Sequence, residues 1–251
     1  MIGSVNTTIQ DNIATITFFH PQSNSLPGEL LRKLADEITL AGTNNEAKVI
    51  ILKSEGEKAF CAGASFDELA SINDIETGKI FFSGFASVIN AMRQAPKFVI
   101  ARVQGKAVGG GVGLACAADY TLATEAASVK LSELAVGIGP FVVGPAVERK
   151  IGNAAFTQLT IDATKWQTAT WAKEKGMYAD VFKTMEDLDK AVAALAQTLA
   201  NSNPEAMSML KKVFWEGTDH WDILLTERAA MSGKLVLSDF TRNAIAKFKG
   251  K

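Results

Sequence analysis

The 251-residue chain is 47% hydrophobic and 21% charged, a globular mixture long enough for one large domain or a domain with a small appendage. Lysine and arginine total 26 against 27 aspartates and glutamates, a net charge of -1, which leaves no basic excess for nucleic acid and no polybasic patch for a membrane. The two cysteines, Cys61 and Cys116, match no metal spacing; with no leader-like N-terminus and no apolar run of about 18 residues, they set the expectation of a reduced, cytoplasmic chain without a membrane span.

In chain order, "VNTTIQDNIATITFF" alternates around Asp11-Asn12 and predicts a β-hairpin over 5–19. Leu30, Leu31, Leu34 and Ile38 then form one helical stripe, with Ser25 as its expected N-cap. "KVIILKS" at 48–54 is a continuous apolar run, as in a strand buried on both faces. A helix is expected over 74–94. "KFVIARVQG" reads as a second buried strand, ending at a glycine cluster. "YTLATE" and "SVKLSE" read as two short strands. From about 141 the strands are expected to stop. "NPEAMSMLKKVFWEG" and "DILLTERAAMSGKLVLSDFTRNAIAKF" each read as one helix, with Lys211 and Lys212 on a solvated face. The class is α/β with a helical C-terminal part.

Metal and triad chemistry find no support. The two histidines, His20 and His220, have no second ligand at metal spacing, and no G-x-S-x-G elbow is present. The glycine cluster lacks the Lys-Ser or Lys-Thr of a P-loop. A dinucleotide fingerprint starting at Gly111 fails at Cys116. Backbone chemistry remains. A strand, a Gly-rich turn and a helix start aim free N–H groups at one point, where the helix dipole adds positive charge. One such oxyanion donor is worth about 2.7–4 kcal/mol. A second small-residue turn, Ala62, Gly63 and Ala64, also follows a buried strand and precedes a helix.

Taken together these segments resemble the enoyl-CoA hydratase/isomerase (crotonase) superfamily. "FCAGASFDEL" and "GKAVGGGVGLACAADY" resemble its two oxyanion loops, "HPQSNSLPGELLRKL" its P-x-x-N-x-L segment, and "VKLSELAVGIGPFVVGPAVERKIG" its catalytic-glutamate segment. The likeness runs over about 5–250. It implies a spiral of ββα units over 1–200 and a helical trimerisation segment over 201–251, in homotrimers or homohexamers. It implies an acyl-CoA thioester substrate, with coenzyme A part of that substrate and no separate cofactor or metal. The thioester oxygen would sit between the amides of Ala64 and Gly110, with Glu133 as the acid/base. The turn Ala62, Ala64, Ser65, Phe66 and Asp67 would contact the coenzyme. Lys58, Lys247 and Lys249 are candidates for its phosphates, because Gln22 and Asp67 stand where relatives often carry cations.

The carboxylates discriminate among reactions. Hydratases of this family typically carry two glutamates, and the first of those positions here is Gly113. "GIGPF" replaces their Gly-rich turn and resembles the Pro-Phe turn of some isomerases. The expectation is therefore an isomerase moving a 3-enoyl double bond to the 2-position. Hydration of a short or methylglutaconyl-type 2-enoyl-CoA and non-catalytic acyl-CoA binding remain the alternatives. Glu68, Asp119, Glu125 and Glu148 are the candidate substitutes for a second carboxylate. Phe81, Phe82 and Phe85 read as core or as an acyl-pocket wall, and Phe141 as core more than substrate contact.

Overall fold

A computed structural model describes residues 2–249, with side chains through residue 247. The chain opens with the hairpin β1 (Ser4–Gln10) and β2 (Ile13–Phe19). Asp11 and Asn12 take positive φ of 51° and 62°, the twist that suits a two-residue hairpin turn. Helix α1 (Gly28–Thr43) leads to β3 (Val49–Ser54) and β4 (Ala59–Cys61), then α2 (Phe66–Ser71) and α3 (Ile75–Gln94). The next unit is β5 (Val99–Val103), β6 (Lys106–Val108) and α4 (Gly110–Ala117). The third is β7 (Tyr120–Thr124), β8 (Ser128–Lys130), a 3-10 turn (Leu134–Val136) and α5 (Gly144–Ile161).

Each unit therefore sends one strand to each of two sheets. With β9 (Gln167–Thr168) and β10 (Asp180–Phe182) added, the large sheet runs β1-β2-β3-β5-β7-β10, parallel from β2 onward, and the small one β4-β6-β8-β9. β4, β6 and β8 are parallel, so their C-terminal ends leave by one edge. The apolar run of β3 is explained by two separate cores. Ile50 and Leu52 face α1 and α3, whereas Val49 and Ile51 face Leu188, Val192 and Ala196 of α7 (Met185–Ala200).

Four sequence expectations change. Strands continue past 141: β9 (Gln167–Thr168) and β10 (Asp180–Phe182), separated by α6 (Ala169–Glu174), close the small and large sheets. They are two and three residues long, too short for a periodic signal. Ser25 does not cap α1; its hydroxyl lies 3.3 Å from His20 Nδ1, and the Gly28 N–H donates instead to Glu68 Oε2 at 2.8 Å. That cap comes from 40 residues downstream, where local reading cannot see it. The last predicted helix is two, α9 (Trp221–Leu235) and α10 (Asp239–Lys249), because Ser238 accepts the Thr241 N–H and restarts the chain. Of "SVKLSE", only Ser128–Lys130 is strand.

The Lys211 expectation also changes. On α8 (Pro204–Phe214), Lys212 is exposed but Lys211 is only 2% exposed. Its ammonium donates to Asp119 Oδ2 at 2.6 Å and to the Met92 carbonyl at 2.8 Å. Asp119 also accepts from Val99 N and from Trp215 Nε1, and Trp215 meets Trp221 edge-on at 5.7 Å. This network ties α8 to the start of β5. Asp119→Ala strands the buried ammonium and is expected to cost about 3–5 kcal/mol in urea unfolding, whereas Lys212→Ala should stay within about 0.5 kcal/mol.

Candidate active site

Three chain reversals leave the small-sheet edge side by side, after β4 (62–64), after β6 (109–110) and after β8 (131–133). Gly63, at φ +92°, lies so close to the second reversal that a Cβ would stand 3.1 Å from Val108 O and 3.6 Å from Gly110 N. Gly109, at φ +53°, N-caps α4; a Cβ there would stand 2.9 Å from Glu133 Oε1. Glycine is thus required where the turns meet, both for its left-handed backbone and for the missing side chain.

The backbone donors can be accounted for one by one. Ala62 N–H donates to Ser23 O, Gly63 N–H to Cys61 Sγ, Ser65 N–H to Leu26 O and Gly109 N–H to Lys130 O. Among the described residues the N–H groups of Ala64 and Gly110 have no acceptor. Gly110 opens α4, so no carbonyl of its own helix precedes it. Gly111 N–H is equally unpaired, but Gly111 does not line the cavity, whereas Ala64 and Gly110 do.

That cavity holds about 400 Å³. Phe81, Phe82 and Phe85 of α3 line it, which places them on a pocket wall as well as against the core. Glu133 is its only carboxylate among the described residues. The side chain as a whole is half-buried, yet Oε2 is shut off from solvent and has no hydrogen-bond partner among the described residues. Burial pushes this carboxyl up from 4.5 to about 7. Nothing cationic offsets it.

The other candidate residues separate by position. Ala62, Ala64 and Phe66 line the cavity. Ser65 is buried, and its hydroxyl caps α2 by accepting the Glu68 N–H. Asp67 is exposed and meets Gln22 Nε2 at 3.3 Å. Lys58 and Lys247 are exposed and outside the cavity; the Lys249 side chain lies outside the described residues. Phe141 does not line it either.

No substitute second carboxylate reaches the cavity. Glu68 holds Gly28, Asp119 holds Lys211, Glu125 is exposed, and Glu148 is exposed and bound by Asn153 Nδ2. A Cβ at Gly113 would lie 2.5 Å from Val143 Cγ1. The space a glutamate there would need is filled by valine. Local reading could not pair Gly113 with Val143, because α4 and α5 meet only in the folded chain. It also missed Lys130, Thr164 and Ser232 on the wall. Only the alternation of β8, which sets Lys130 apart from buried Val129, hinted at the first.

Residues 8–249 match the family described as enoyl-CoA hydratase/isomerase. YngF of Bacillus subtilis (strain 168), whose name carries the same family designation, is 32% identical over 217 residues, 85% of this chain and 82% of that protein. The mitochondrial methylglutaconyl-CoA hydratase of Rattus norvegicus is 31% identical over 200 residues, 78% of this chain and 63% of that protein. The crystal structure of an enoyl-CoA hydratase from Bacillus halodurans superposes with a TM-score of 0.89 at 21% identity, covering 97% of this chain and 99% of the other, and so shares the fold.

Two outcomes follow from the carboxyl and its neighbours. Between 4.5 and about 7 the folded protein keeps a proton on Glu133 that the unfolded chain has released. The stability this group contributes is complete below 4.5 and is lost as pH rises through about 7. Glu133→Gln cannot titrate, so thermal melts from about pH 5 to about pH 8 should show it gaining on the native protein by about 3 kcal/mol or less. Gly113→Ala should destabilise by about 1–3 kcal/mol through overpacking, and the added Val143→Ala should recover part of that loss.

Proposed function

The chain belongs to the enoyl-CoA hydratase/isomerase family, and from that premise we propose that it moves the double bond of a 3-enoyl-CoA thioester to the 2-position. The observation that carries this reading is the single carboxylate on the cavity wall, Glu133, with the Gly113 position closed by Val143. The Glu133 carboxylate takes a proton from C2. The electrons of that C–H bond delocalise onto the thioester oxygen, which the Ala64 and Gly110 N–H groups hold as a dienolate. The carboxylic acid then returns a proton to C4, the carbonyl re-forms, and the double bond lies between C2 and C3. One group suffices because the proton it removes is the proton it returns. A value near 7 leaves both protonation states populated at neutral pH. This reading is supported by two cavity-lining residues, Ala64 and Gly110, whose N–H groups have no acceptor among the described residues and so stand free for a developing oxyanion.

Coenzyme A enters as part of the substrate, and no further cofactor is needed. The exposed apolar residues Met209, Leu210, Val213 and Phe214 of α8 support association of copies through the C-terminal helices, as a trimer or hexamer. The two buried free thiols suit a reducing compartment, the cytoplasm. Hydration of a branched 2-enoyl-CoA is the second reading, favoured by the methylglutaconyl-CoA hydratase among the relatives. It would require Glu133 both to activate water and to protonate C2.

Mass spectrometry of a saturated acyl-CoA incubated in deuterium oxide tests the common step. Deuterium should enter C2 with the native protein and not with Glu133→Gln, whose turnover should fall at least about 10²-fold. Supplying 3-enoyl and 2-enoyl thioesters then separates the readings; water addition to the 2-enoyl substrate without double-bond migration would overturn isomerisation. Initial rates should rise with pH through about 7, as the base form of Glu133 fills.

A further inference from the structure

Lys130 is the only cation on the cavity wall among the described residues. It ends β8 in register with Val108 of β6, so Lys106, Val108 and Lys130 share one face of the small sheet. The Lys130 ammonium lies 4.5 Å from the centre of the Trp166 ring, and the Lys106 ammonium 5.3 Å from the same ring. Among the described residues neither ammonium has a hydrogen-bond acceptor or a carboxylate partner. Glu133 does not serve, because its buried Oε2 is itself unpartnered. Two like charges on one indole repel, and partial burial together with Lys106 lowers the proton affinity of Lys130. Both lysines have long flexible stems and a route to water, yet they converge on one point. An anion there would relieve both costs.

We infer that Lys130, backed by Lys106 and Trp166, binds a carboxylate carried on the far end of the acyl group, so that the substrates are CoA thioesters of dicarboxylic acids. This rests on the proposed function and adds the substrate class. The sheet order places the charge on the acyl side. The small sheet runs β4-β6-β8-β9. The coenzyme contacts assigned above follow β4, and the thioester oxygen sits between the β4 and β6 turns. Lys130 belongs to β8, on the other side of that oxygen. Its carbonyl accepts the Gly109 N–H at 2.9 Å, so its Cα stands next to the oxyanion turn. A four-carbon stem reaches a short acyl chain from there. With the coenzyme contacts on the β4 side, its pantetheine arm and phosphates would lead away from β8. Ser132, and Thr164 two residues before Trp166, also line the cavity and add hydroxyls to a largely apolar wall.

Isothermal titration of the full-length protein with glutaryl-CoA, pentanoyl-CoA and free CoA tests this without catalysis. The native protein should bind glutaryl-CoA about tenfold more tightly than pentanoyl-CoA, as a charge-assisted contact provides. Lys130→Met should erase that preference and leave pentanoyl-CoA affinity unchanged. Equal affinities for the two thioesters in the native protein would overturn the inference, whether or not the variant folds. Equal weakening of all three ligands by Lys130→Met would also overturn it, by assigning the lysine to the coenzyme phosphates. If the native protein binds neither thioester, the acyl-CoA reading itself fails, and this proposal falls with it.

Discussion

Parallel pairing of β4, β6 and β8 is the constraint from which the site descends. Parallel neighbours must all end at the same edge, so three segments far apart in sequence turn within reach of one another. The first two turns each present a backbone N–H with no acceptor among the described residues, and the third brings the carboxylate. The large sheet and its helices serve this arrangement by fixing where each strand of the small sheet begins. The alternation in β3, two residues to each of two cores, shows how firmly that framework is held.

The close approach of the turns sets the chemistry as well as the shape. Glycine at 63 and 109 lets the backbones meet and leaves the Glu133 carboxyl lying over Gly109. Packed this way, the carboxyl loses its water and gains no cation, and its proton affinity rises. The same burial that costs stability at higher pH leaves a carboxyl with both protonation states populated near neutral pH. On the proposed function, stability and activity pull against one another at this residue.

Much of this was legible beforehand because the relevant signals are local. A Gly-rich turn after a buried strand, a small-residue turn after another and an isolated glutamate before a Pro-Phe turn each leave a mark within a dozen residues. The hairpin was equally plain, since Asp-Asn is the chemistry its turn demands. The errors share the opposite property. Glu68 capping α1, Lys211 buried on Asp119 and Val143 filling the space beside Gly113 each join residues 29 or more positions apart. A lysine on a helix reads as solvated until its distant partner is known. Strands of two or three residues, such as β9 and β10, carry no period at all.

By itself, then, the sequence determined the α/β class, the two small-residue turns, the glutamate that follows them and the helical end of the chain. Those features are written in backbone freedom and in periodicity, which act over a few residues. The tertiary structure decided that the glutamate would be alone, dry and raised in proton affinity. It also decided that Lys106 of β6 and Lys130 of β8 would converge on one indole with no counter-charge among the described residues. Burial and charge pairing depend on which distant segments come to lie against a residue, and only the folded chain settles that.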